Sequence, residues 1–132
     1  MKKILLSATA FVASCLMACG QKLYKEADVE GFARMVGQDT VQVVDVRTPE
    51  EFKAGHIARA VNINVFDNDF MQQVKEKVDK RRPVAVYCRS GKRSAKAAQE
   101  MGAMGYTVTN LKGGILKWKE DGKETVNQGS YK

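Results

Sequence analysis

The chain has 132 residues, 44% of them hydrophobic and 28% charged, which suffices for one domain with a sizeable core and is too little for two. Its 22 basic and 15 acidic side chains give a net charge of +7, of which Lys2 and Lys3 supply two units. The remaining surplus forms no block of like charge and has little aromatic interleaving, so it reads as a solvated surface with an anion-friendly site, and no nucleic-acid partner is expected.

Lys2 and Lys3 begin a targeting pattern. An uncharged, mainly apolar run over residues 4–17 follows, too short for a comfortable membrane span, and Leu16-Met17-Ala18-Cys19 ends it. That ending resembles a bacterial lipoprotein signal, although Met17 is unusual in its place. By the resemblance, residues 1–18 are a signal peptide cleaved before Cys19, Cys19 is the lipid attachment point, and the exported protein is held at a membrane of the cell envelope, on the periplasmic side. Ordinary cleavage nearby is the alternative, and an unacylated Cys19 would then be available to pair with Cys88. Residues 19–25 follow as a polar tether, 26–122 as the folded domain and 123–132 as a polar, frayed tail.

Within the domain helix and strand alternate. Val29, Phe32, Ala33 and Val36 fall at helical spacing, and Gly37 ends that helix. Residues 41–44 form an apolar strand running into Asp45. Thr48-Pro49-Glu50-Glu51 is a helix start with a cap, a proline at the first helical position and a capping box, and Gly55 ends the short helix. Residues 60–63 read as a strand, and Phe70, Val74 and Val78 mark one face of a helix starting near Asp67 or Asp69 and broken by Arg82-Pro83. Residues 84–87 form a fully apolar strand, 94–104 a helix, 107–111 a strand and 115–120 a last helix that buries Trp118. Short links between strands and helices imply an α/β fold, with a mainly parallel central sheet of four to five strands and helices on both faces.

The chemistry centres on Cys88-Arg89-Ser90-Gly91-Lys92-Arg93, between the apolar strand and the following helix. Ligands of such sheets sit off the carboxyl ends of the strands, where Cys88 falls. A loop wrapped over a helix start aims backbone N–H groups at its own centre, and with Arg89, Lys92 and Arg93 nearby it favours an anion and the nucleophilic thiolate. The bland alternative is an inert buried thiol beside a solvated basic loop.

Three ordered segments resemble the rhodanese-type sulfurtransferases. They are the six-residue loop Cys88–Arg93; Asp45-Val46-Arg47-Thr48-Pro49-Glu50-Glu51-Phe52 with Gly55-His56-Ile57; and Leu111-Lys112-Gly113-Gly114-Ile115 with Trp118. The resemblance implies a rhodanese-like domain in which Cys88 is the nucleophile, Arg89, Ser90, Gly91, Lys92 and Arg93 bind the anionic substrate, and Asp45, Arg47 and His56 support the loop. It makes Asp45 available to pair with a loop arginine and His56 a scaffold residue rather than a base. Related phosphatases have one more residue in this loop, so sulfur transfer is expected. The residues Cys88-Arg89-x-Gly91-x-Arg93 resemble the loop associated with thiosulfate. Cyanide or a thiol is the expected acceptor. No cofactor is implied, and one histidine with one free thiol cannot close a metal site. A monomer is expected. Arg59 departs from the family pattern, which has glycine there, and so puts the local turn in question. A persulfide carrier fed by a partner protein is the alternative to an enzyme acting on small donors.

Overall fold

The computed structural model describes residues 20–127. In chain order the elements are β1 (Lys25–Ala27), α1 (Val29–Val36), β2 (Gln42–Asp45), α2 (Pro49–Ala54), β3 (Val61–Asn62), α3 (Phe70–Lys77), β4 (Val84–Tyr87), α4 (Lys92–Ala103), β5 (Val108–Leu111) and α5 (Gly114–Glu120). All strand pairs are parallel, in the order β1-β5-β4-β2-β3. The strand with the most continuous apolar run, β4, therefore lies in the middle, and all four of its residues are buried. Residues 1–19, which hold the expected signal peptide, Cys15 and Cys19, lie outside the described residues, as do residues 128–132.

Two apolar layers sandwich the sheet. On one face, Phe70 and Val74 of α3 and Ala97, Ala98 and Met101 of α4 cover Val44, Val84, Val86 and Val108. On the other, Val29 and Phe32 of α1 and Ile115 and Trp118 of α5 cover Val43, Ala85, Tyr87 and Leu111. The period-two alternation along β4 sends Val84 and Val86 to the first layer and Ala85 and Tyr87 to the second. Phe32 sits edge-on to both Tyr87 and Trp118, at centroid separations of 6.3 and 6.2 Å. The short α2 buries none of its residues and instead closes the carboxyl end of the sheet.

Local starts and stops match the sequence signals closely. Thr48 caps α2 with a reciprocal capping box to Glu51, and Pro49 opens the helix. Asp69 precedes α3, yet its side chain bonds Gln73 rather than a free helix amide. Arg59, where a glycine was expected, adopts a left-handed φ of 71°. Left-handed backbone costs a non-glycine residue about 1–2 kcal/mol. The Arg59 guanidinium offsets that cost by donating to the carbonyls of Val36 at 2.7 Å and Val41 at 3.3 Å, so the turn survives without glycine.

Both ends of the domain are more structured than expected. The segment expected as a tether docks: the Leu23 amide donates to the Gln99 side chain at 2.9 Å, Gln99 donates to the Gln21 carbonyl at 3.0 Å, and Lys25 begins β1 beside β5. The start of the supposedly frayed tail is also held. Val126 and His56 exchange two backbone hydrogen bonds of 2.8 Å, and the Trp118 indole donates to the Glu124 carbonyl at 2.8 Å. Polar composition concealed both contacts because they are made by backbone and by side chains distant in sequence.

Phe32 is completely buried between two aromatic rings, so Phe32→Ala should destabilise the domain by about 3–5 kcal/mol in urea unfolding monitored by Trp118 fluorescence.

Candidate active site

The site is built where β4 ends. Its last residue, Tyr87, passes the chain to Cys88, and α4 starts at Lys92. Cys88 is fully buried and unbridged. Its Sγ accepts the Gly91 amide at 3.1 Å and the Ser94 hydroxyl at 3.3 Å, two donors that favour a negative sulfur. Gly91 turns the chain with φ of 101°, which places its amide over the sulfur and its carbonyl within 3.3 Å of both Ser94 Oγ and Asn110 Nδ2.

The N-terminal turn of α5 supports the loop from below. The amides of Ile115 and Leu116 donate to the carbonyls of Cys88 and Arg89 at 2.9 and 3.2 Å. This packing requires a glycine at 114, where φ is 62° and a Cβ would collide with the Arg89 and Cys88 carbonyls. The Gly113-Gly114 pair is thus more than a turn: it admits the active loop to the start of α5.

Asp45 and Arg47 form a buried pair behind this loop. Arg47 donates from its amide and Nε to Asp45 Oδ1 at 2.9 and 3.0 Å, and its Nη2 lies 2.7 Å from Asp45 Oδ2 and 2.7 Å from the Gly55 carbonyl. The expected pairing of Asp45 with a loop arginine is corrected: the two-residue spacing after β2 folds Arg47 back onto it, while Arg93 lies elsewhere. Burial raises the Tyr87 hydroxyl well above the ordinary tyrosine value, with the Asp45 carboxylate adding to the effect. That hydroxyl accepts the Ile57 amide at 3.0 Å.

Arg93 is held by Glu51 through two hydrogen bonds of 2.8 and 2.9 Å. The expectation that it is an open anion donor therefore needs qualification. The Arg93 guanidinium, helped by the Thr48 amide and hydroxyl against the effect of partial burial, holds the Glu51 carboxyl down at about 2. Arg93 also lies over the exposed Phe66 ring, 5.6 Å from its centroid. Arg89, Ser90 and Lys92 are exposed around the loop. His56 is buried, its ring stacked on Phe52 at 3.7 Å with Nδ1 2.8 Å from the Phe52 carbonyl. A carbonyl can only accept, so Nδ1 carries a proton.

Between α2 and α5, beside the loop, opens a cavity of about 190 Å³ lined by Arg47, Glu51, Ala54, Gly55, Arg89, Ile115, Leu116 and Lys119. Sequence reasoning missed Ser94, Asn110 and the second role of Glu51. Glu51 was visible as a capping residue, but its reach to Arg93 spans 42 positions and had no local signal.

The parallel five-stranded sheet with its helices matches rhodanese-like proteins of known structure. Residues 28–121 match the Rhodanese-like domain family. The chain belongs to that family. This rhodanese-like chain is 34% identical over 106 residues to a sulfurtransferase of Allochromatium vinosum, covering 79% of this chain and 96% of the relative. It is 32% identical over 98 residues to the thiosulfate sulfurtransferase GlpE of Coxiella burnetii, covering 74% of this chain and 89% of the relative. A rhodanese-like domain protein from Staphylococcus aureus superposes with a TM-score of 0.67 at 28% identity, over 79% of this chain and 98% of that one. Such relatives support a sulfurtransferase activity at the level of the family.

The Glu51 carboxyl is lower in the folded state than its ordinary 4.5, so the stability it supplies is complete above about pH 4.5 and is lost as pH falls toward about 2. Glu51→Gln should flatten that acid limb, which urea midpoints measured across this pH window would reveal.

Proposed function

We propose that the protein is a thiosulfate sulfurtransferase that carries sulfur as a persulfide on Cys88. The observation that supports this most is the sulfur's own environment: Sγ receives two hydrogen-bond donors, from Gly91 and Ser94, inside a basic loop of a rhodanese-like domain.

In the first step the Cys88 thiolate attacks the outer sulfur of thiosulfate. The S–S bond of the donor breaks and sulfite leaves with the bonding electron pair. Arg89 and Lys92, exposed at the loop, attract the dianion and its leaving group, and Ser90 and Gly91 complete the cradle. Arg93 contributes its charge from the rim while it remains held by Glu51. In the second step cyanide or a thiolate attacks the outer persulfide sulfur, and the electron pair returns to Cys88 Sγ. The Gly91 amide and Ser94 hydroxyl face Sγ in the two states in which it carries the charge, before the first step and after the second. His56 has no part in either step and keeps its contacts with Phe52 and Val126.

In this reading the chain works as a monomer in the cell envelope, exported by residues 1–18 and fixed to the membrane by acylated Cys19. The basis is the Lys2-Lys3 start, the apolar run and the Leu-Met-Ala-Cys ending.

Intact-mass spectrometry of the full chain before and after thiosulfate should show a gain of one sulfur atom. Cyanide should remove it and Cys88→Ser should prevent it; no gain on the parent would reject thiosulfate as donor. Labelled palmitate fed to expressing bacteria should mark the parent chain and not Cys19→Ala, whereas an unlabelled parent would reject the lipid anchor.

A further inference from the structure

Gly91 precedes α4, and its carbonyl is crowded. The Ala95 amide donates to it at 3.1 Å as part of the first helical turn, and Asn110 Nδ2 donates to it at 3.3 Å from β5. Ser94 Oγ also lies 3.3 Å from the same oxygen, and 3.3 Å from Cys88 Sγ. A carbonyl oxygen has two lone pairs and a hydroxyl has one proton. With Ala95 and Asn110 on the oxygen, the Ser94 proton has only the sulfur left.

Asn110 is an unexpected residue where it stands. It is 2% exposed and sits in register with Val86. By the alternation of β5 it shares the face of Val108, in the apolar layer under α4 that also holds Cys88. A carbonyl only accepts, so the Gly91 contact fixes Nδ2 on that side of the amide. Oδ1 is then left buried with no hydrogen-bond partner among the described residues. Such an atom is destabilising, and an apolar side chain of similar size would lack it. What Asn110 supplies that an apolar side chain would not is the second donor on the Gly91 carbonyl.

We propose that Asn110 is a positioning residue for sulfur transfer: by filling the Gly91 carbonyl, it turns the Ser94 hydroxyl onto Cys88 Sγ. The inference deepens the sulfurtransferase reading and rests on it. Its effect falls on the second step. The cyanide carbon attacks the outer persulfide sulfur, a C–S bond forms, the S–S bond breaks, and thiocyanate leaves. The electron pair of the broken bond goes to Sγ, where negative charge develops with the Ser94 and Gly91 donors facing it. Without the Asn110 amide, the Ser94 proton meets a free lone pair on the Gly91 carbonyl, and the departing sulfur loses one of its two donors.

The test is single-turnover discharge. The full chain in detergent is loaded with thiosulfate, freed of donor and mixed with cyanide, and thiocyanate release is timed. Asn110→Leu should slow release roughly tenfold, the scale of one hydrogen bond to a charged group. Its urea midpoint should stay level or rise, because the unpaired oxygen is gone. Ser94→Ala should slow release by a similar factor, and adding Asn110→Leu to it should slow release no further. Equal slowing by Asn110→Leu in both backgrounds would make its role independent of Ser94 and overturn the proposal, as would no slowing in either. Asn110→Val, which suits a strand, carries the same expectation if the leucine variant does not fold. Failure of both to fold would make Asn110 purely architectural and also overturn the proposal. A parent chain that gains no sulfur from thiosulfate overturns the sulfurtransferase reading and this inference together, whereas a loaded parent whose discharge Asn110→Leu leaves unaltered overturns this inference alone.

Discussion

The Asp45–Arg47 pair ties β2, the end of α2 and β4 together on one side of Cys88. Arg47 joins the end of β2 to the Gly55 carbonyl after α2, and its guanidinium lies 5.7 Å from the centroid of the Tyr87 ring in β4. Both partners are almost wholly buried. Taking two charges out of water is expensive, and losing one partner of such a pair typically costs about 3–5 kcal/mol. The pair's value here lies in position. It fixes α2, and therefore Glu51, against the end of the strand from which Cys88 emerges.

A second constraint acts from the opposite side. The first turn of α5 gives its free amides to the Cys88 and Arg89 carbonyls, so the loop satisfies its backbone through a neighbouring element. The loop's own amide at Gly91 is then left to face sulfur. Orientation of the carbonyls outward and the amide inward is what turns a tight loop into a cradle for negative charge.

Charge around the site is sorted by these two supports. Cations that enter ion pairs, Arg47 and Arg93, hold the architecture. Those that stay exposed, Arg89 and Lys92, are the ones available to an incoming anion. Phe66, largely exposed beside Arg93, adds an apolar edge to an otherwise basic rim.

Most of the fold and the position of Cys88 at the carboxyl end of β4 were legible in the sequence because their signals are local. Val84–Tyr87 is apolar throughout and so had to be a buried strand, Thr48-Pro49-Glu50-Glu51 carries its own start signal, and Cys88 follows the strand directly. The sequence could not say which loop arginine would meet which carboxylate, since Arg93 and Glu51 are brought together only by the parallel register of β2 with β4. Nor could it show that residues 21–25 and 123–127 would dock, because backbone hydrogen bonds carry no side-chain signature. Local patterning determined the elements, their order and the place of Cys88 at the end of β4; long-range packing alone decided that Arg93 would meet Glu51, because that partner depends on distances that only the closed sheet defines.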